Sequence, residues 1–216
     1  MSIKKSYAVF GLGKYGVSVA KELVRNGAEV LAVDKCEAAV NAASQYIPLC
    51  KCADVTDEEV IKQLGIANID VVIISMAESF EASVLATTLC KEAGVKHIIV
   101  KCSNEMHSKI LLNIGADEIV FPESESGIHT AKNLLSAGFV DIIELSKDAS
   151  MIEMEVKEDW VGKPLIKLDL RKKYGINVVA MRQNGYITTY IDPEMPITAD
   201  MQFIVIGNPN KLGKIK

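Results

Sequence analysis

Short apolar runs recur at residues 7–11, 29–34, 49–52, 70–74, 96–101 and 118–121, each separated from the next by a stretch with helical spacing. The helical stretches cover 16–26, 37–45, 56 to about 65, 80–93 and 104–114. In the first of them Val19, Leu23 and Val24 form one apolar stripe, which is the mark of a helix laid against a sheet. At the third, Thr56 with Glu59 three residues on has the capping-box pattern, so Thr56 is the expected N-cap. Runs such as 70–74 (DVVII) are apolar on both faces, which predicts strands buried on both faces. Such strands alternating with single helices predict a parallel sheet with helices on both sides. Right-handed crossovers then give a Rossmann-like, doubly wound α/β fold.

The beat changes in the last third. Residues 124–137 read as a helix with no strand of the same series after it. From Asp141 onward the pattern alternates, as in 151–156 (MIEMEV), which predicts a half-buried strand. Residues 165–174 predict a short helix stopped by Gly175. Strands at 177–182 and 186–190 flank Asn184-Gly185, a strong hairpin dipeptide, and 201–207 reads as a last strand. The expected organisation is a nucleotide-binding lobe over 1–140, including the crossover helix, and a small α+β lobe over 141–216.

Chemistry concentrates where the first strand meets the first helix. Gly11-Leu12-Gly13-Lys14-Tyr15-Gly16 is a GxGxxG loop in its proper setting, after a strand and opening a helix. Gly11 serves the tight turn, Gly13 lets phosphate approach the backbone, and Gly16 lets helix and strand pack closely. The helix N-terminus adds free amides and a favourable dipole for an anion. Asp34, at the end of the second strand, is placed to accept hydrogen bonds from ribose hydroxyls and to repel a 2′-phosphate. The pattern therefore points to an ADP moiety, common to ATP, ADP and NAD(H), and away from NADP.

Composition narrows the partners. The net charge of −4 and the lack of a basic half exclude a nucleic-acid surface. No apolar run reaches about 18 residues, and Gly11 breaks the N-terminal run, which argues against both a membrane span and a signal peptide. Five cysteines, an odd number without framework spacing, read as reduced thiols. Cys50 and Cys52 are spaced as a metal half-site on a strand, with no second pair to complete it. Three histidines, His97, His107 and His129, all precede the second lobe, and no nucleophile–base constellation is evident. The same loop suits a receptor that holds nucleotide as a signal, a small NAD-dependent oxidoreductase, or an oligomerisation module.

The glycine loop, AVD at the second strand, ADVTDEE after the third, and DLRKKYGINVVAMRQNG in the second lobe together resemble the RCK family, in particular the Ktr/Trk-type cytosolic regulatory subunits of bacterial potassium uptake systems. That resemblance covers essentially the whole chain. It implies a non-enzymatic subunit, cytoplasmic and peripheral to the inner face of the membrane. Its dimers assemble as a homo-oligomer, typically an octameric ring, under an integral-membrane ion-conducting partner for potassium or sodium-coupled potassium transport. Bound ATP, ADP or NAD(H) reshapes the ring. The implied nucleotide-binding residues are Gly11, Gly13, Lys14, Tyr15, Gly16, Asp34, Lys35, Cys36, Asp54, Val55, Met76, Ala77, Glu78, Lys101, Cys102, Ser103, His107 and Glu123. Glu123 is also the implied holder of a divalent cation, Mg or Ca, against phosphate. Lys14 stands where many relatives have arginine, and it lacks that residue's bidentate fork. In the second lobe the resemblance implies a dimer cleft for cyclic di-AMP at Leu165, Leu170, Arg171, Asn177, Val178 and Pro193.

Overall fold

The computed structural model describes residues 5–135, 139–146 and 148–208. The expected parallel sheet is present, with strand order β3-β2-β1-β4-β5-β6. Its strands are β1 (Ser6–Phe10), β2 (Glu29–Asp34), β3 (Leu49–Cys52), β4 (Val71–Ile74), β5 (His97–Lys101) and β6 (Glu118–Val120). All neighbours pair in parallel. Because side chains alternate between faces, one apolar run feeds two cores. Phe10, Val33, Ile74, Ile98 and Leu111 fill one side of the sheet. Val9, Ala20, Ala32, Ile47 and Ile73 fill the other. The continuous apolarity of β1 and β4 is thus the demand of two faces, not one.

The helices are α1 (Lys14–Arg25), α2 (Glu37–Ala43), α3 (Glu58–Gln63), α4 (Phe80–Glu92), α5 (Glu105–Asn113) and α6 (Pro122–Leu135). One cap differs from expectation. Asp57, not Thr56, caps α3, its carboxylate accepting from the Glu59 amide at 2.8 Å. Thr56 is taken by Asp54, to which it donates both its hydroxyl (2.7 Å) and its amide (3.0 Å). A carboxylate two residues upstream forms an Asx turn, and that turn delays the helix by one residue.

Strand order reverses between β1 and β4. A crevice therefore opens at their C-terminal ends, because one crossover series leaves to each side. The six strand ends bring the segments after β1, β2, β3, β4, β5 and β6 to one rim.

The chain divides into two compact units, Met1–Glu125 and Ser126–Lys216, with the boundary inside α6. The last two residues of the expected 124–137 helix lie outside the described residues. The second unit is a five-stranded antiparallel sheet, β10-β9-β11-β8-β7. Its strands are β7 (Phe139–Ser146), β8 (Ala149–Glu155), β9 (Ile176–Gln183), β10 (Tyr186–Thr188) and β11 (Gln202–Gly207). β7 was not expected. Its pairing with β8 slips at two points, so the period-two signal is broken along it. Asn184 (φ 51°) and Gly185 (φ 81°) make the predicted tight hairpin between β9 and β10.

The single helix expected at 165–174 is two short ones, α7 (Leu165–Leu168) and α8 (Leu170–Tyr174), split by Asp169 at φ 46°. Trp160, Phe203, Ile152, Met154 and Leu170 form the core of this unit. Among the described residues no helix is long and apolar enough to cross a membrane.

Candidate functional site

A cleft of about 680 Å³ lies at the C-terminal ends of the parallel strands. Its floor is the glycine loop, and the three glycines do different work. Gly11 has φ +89°, and a Cβ there would come 2.7 Å from the Ser75 carbonyl oxygen. A Cβ on Gly16 would lie only 2.0 Å from the Gly11 carbonyl oxygen. These two positions exclude a side chain for the sake of the fold. Gly13 is the exception. Its backbone is ordinary (φ −70°, ψ −175°), and a Cβ there would meet no protein atom within 4 Å. Nothing in the described chain requires glycine at 13, yet its bare face lines the cleft. The fit is to something that must come close to the backbone.

Gly13 is also the N-cap of α1, and no side chain caps that helix. No acidic residue occupies its first turn. The first-turn amides have no intrahelical carbonyl to bond, so the end of α1 favours an anion. Asp34 fixes the loop from the next strand. One carboxylate oxygen accepts from the Leu12 amide at 2.6 Å, the other from the Cys36 amide at 2.8 Å. The carboxylate therefore stands where β2 ends and lines the cleft.

The walls carry charges of both signs. Lys14, Lys35 and Lys101 face Asp34, Asp54, Glu78 and Glu123. Asp54 is held below the usual carboxylate range, first by the Thr56 hydroxyl and then by the Thr56 amide. Lys101 pairs with Glu123 at 2.6 Å. This hydrogen bond is the main cause that lowers the Glu123 pKa. Burial raises the Tyr15 hydroxyl, and the charges of Glu125 and Glu118 add to that.

The cleft gathers Gly11, Gly13, Lys14, Tyr15, Asp34, Lys35, Asp54, Val55, Met76, Ala77, Glu78, Lys101 and Glu123. Five expected residues are not in its lining. Gly16 packs under the loop, and Cys36 contributes its amide to Asp34 rather than its thiol. Cys102 is buried, with its sulfur on the Asn104 carbonyl, and Ser103 is exposed. His107 stacks on Phe80 with ring centroids 3.8 Å apart, and one ring nitrogen lies 3.0 Å from the Asn104 amide nitrogen. Phe80 opens α4, and neither ring is among the residues that line the cleft.

Leu12, Val33, Ala39, Ala53, Thr56, Ser75, Ser79 and Ala82 also line the cleft and were not expected there from the sequence. Ser79 had a usable signal. It caps α4 by accepting from the Ala82 amide, and a serine before an apolar helix after a strand marks the loop that lines such a crevice.

In the second unit Arg171, Asn177 and Pro193 are exposed, and Leu165 and Val178 are half-buried. Leu170 departs from expectation. It is buried beside Trp160 and Phe203, so its side chain serves the core and not a surface. The five cysteines are free, and among the described residues no group of three or more His, Cys, Asp or Glu side chains is placed to hold a metal. The cleft lining contains neither histidine nor cysteine. It presents the glycine loop, three lysines and four carboxylates.

The TrkA-N domain family matches residues 7–122, and the TrkA-C domain family matches residues 151–216. The chain is 38% identical over 214 residues to the Ktr system potassium uptake protein C of Bacillus subtilis (strain 168), covering 99% of this chain and 97% of that one. It is 36% identical over 212 residues to the Ktr system potassium uptake protein A of the same organism, covering 98% and 96%. Its fold is similar to that of the GsuK channel solved bound to NAD, with a TM-score of 0.65 at 14% identity, covering 98% of this chain and 38% of the channel. At that identity the likeness is one of fold.

Proposed function

We propose a function from one premise: the chain belongs to the TrkA family, with a TrkA-N domain followed by a TrkA-C domain, and is akin along its whole length to Ktr potassium uptake proteins. It is the nucleotide-sensing regulatory subunit of a potassium uptake system, and it switches ion flow rather than catalysing a reaction. The observation that carries this reading is Gly13. Its backbone and its neighbours accept a side chain, and it lacks one where the first-turn amides of α1 meet the cleft.

The ligand is a nucleotide bearing an ADP moiety: ATP, ADP or NAD(H), the last of which GsuK holds in a solved structure of the same fold. The phosphates lie against Gly11, Gly13 and the amides of Lys14, Tyr15 and Gly16. The ribose hydroxyls donate hydrogen bonds to the Asp34 carboxylate, and Lys35, Asp54 and Met76–Glu78 border the adenosine. A divalent cation, Mg or Ca, joins Glu123 to a phosphate. With few protein carboxylates grouped for it, such an ion draws most of its ligands from phosphate and water.

The lobe spanning 1–140 senses the nucleotide, and the lobe spanning 141–216 dimerises. The exposed Arg171, with Leu165, Asn177, Val178 and Pro193, offers cyclic di-AMP a second site. Dimers build a ring, octameric as in the family, under an integral-membrane partner on the cytoplasmic side. A ligand moves such a ring only by binding one arrangement better than another.

The test is transport. The membrane protein that co-purifies with this chain is identified and reconstituted with it in liposomes, and rubidium flux is followed as ATP, ADP and NADH are varied. Flux that changes with nucleotide only when this chain is present supports the reading. Flux indifferent to the chain and to every nucleotide overturns it.

A further inference from the structure

We propose that Lys101 and Glu123 form a charge gate at the cleft, in which, as long as no divalent ion joins carboxylate to phosphate, the phosphate of an entering nucleotide takes the place of the Glu123 carboxylate on the lysine. The gate rests on the nucleotide reading above and says what that site does to the rest of the chain.

Lys101 ends β5 and is largely buried, with only 18% of its side chain exposed, whereas Glu123 is 71% exposed. Their charged atoms are 2.6 Å apart. The same ammonium stands 5.9 Å from the centre of the Tyr15 ring, and Tyr15 lies in the first turn of α1. One cation thus lies close to two anion positions, a carboxylate that is present and the helix end that favours phosphate. With no divalent ion to join them, a carboxylate and a phosphate on one ammonium repel each other, and the site gives way at its more exposed end. The lysine stem is walled in by the sheet. The glutamate has water beside it and loses little by swinging out.

Glu123 sits in the first turn of α6, where a negative charge favours the helix dipole. α6 runs from Pro122 across the unit boundary at Glu125 into the second compact unit. Opening the pair therefore unties the first turn of the helix that carries the chain onward. Phosphate arrival in the cleft is written onto that helix by one exchanged ion pair.

The experiment titrates ADP by calorimetry into the full-length protein in EDTA, so that no divalent ion can join carboxylate to phosphate. Wild type, Glu123→Gln, Lys101→Met and the double variant are compared, with matched thermal melts as the folding control and Lys101→Arg in reserve should methionine disturb β5. Removing the competing carboxylate tightens ADP about fivefold or more, within the usual range for coupled sites. Lys101→Met weakens binding, and Glu123→Gln has no further effect on that background. A Glu123→Gln protein that binds ADP like wild type, or more weakly, overturns the gate alone. A wild-type chain that binds no ADP, ATP or NADH overturns the nucleotide reading with it.

Discussion

Alanine at Gly13 and alanine at Gly16 should separate the glycine that serves a ligand from the glycine that serves the fold. At Gly16 the new Cβ would sit 2.0 Å from the Gly11 carbonyl oxygen, so α1 must withdraw from β1 by roughly the missing ångström. Overpacking a close helix–strand contact in this way costs about 3 kcal/mol. At Gly13 the Cβ meets nothing, and the backbone there is already one that alanine adopts. Restricting the unfolded chain favours the alanine form by ~0.4–1 kcal/mol. The weaker N-cap preference of alanine opposes it by a similar amount, so the net change is within about 0.5 kcal/mol.

Binding reverses the order of damage. A methyl on Gly13 occupies the space through which phosphate reaches the first-turn amides, and one lost charge-assisted hydrogen bond of ~1.5–3 kcal/mol weakens binding by about tenfold or more. The assay is urea denaturation for stability with nucleotide calorimetry for affinity, run on both variants. A Gly13→Ala protein that binds ADP, ATP and NADH as the wild type does would refute the reasoning. Equal destabilisation by the two substitutions would refute it too.

Three further outcomes follow from other parts of the molecule. Asp34→Ala leaves the Leu12 and Cys36 amides without their partner and should cost about 2 kcal/mol in urea denaturation while weakening ADP at least about tenfold, with Asp34→Asn between the two. Asp70 is held at about 2 by Lys96, with the Ser6 amide and hydroxyl adding to it. Its pKa is depressed on folding, so the stability it confers is present above the unfolded value of about 4 and is lost as the pH falls through about 2. The stability gap between wild type and Asp70→Asn should therefore be full at neutral pH and narrow through acid, and a gap that does not change with pH would count against this linkage. Trp160→Ala empties a fully packed position beside Phe203 and Tyr174 and should destabilise the second unit by ~3–5 kcal/mol, read from near-ultraviolet circular dichroism against urea.

Those residues also show what a bare sequence discloses. β1, β2 and β4 were legible because burial on both faces forces a continuous apolar run, and few other structures do. Gly11, Gly13, Gly16 and Asp34 were legible because a tight turn, a close approach and a strand-ending carboxylate each demand one residue type at one spacing. The division of labour among the three glycines was expected from the motif as well, and the space around each agrees: a neighbour forbids a side chain at 11 and 16, and none does at 13. Thr56 was misread because a capping box and an Asx turn draw on the same residue types, and only the competing Asp54 decides between them. β7 escaped because slipped pairing removes the alternation by which a strand is known. Lys101 and Glu123 were each expected at the nucleotide, yet their mutual pairing is set by parallel β5 and β6, and nothing local in either segment encodes it.

The most direct measurement is calorimetric titration of the purified chain with ATP, ADP and NADH. The account predicts that at least one binds below millimolar, near one per chain, and that Gly13→Ala abolishes or sharply weakens that binding while the protein stays folded. No binding by any of the three to the folded wild type would contradict it.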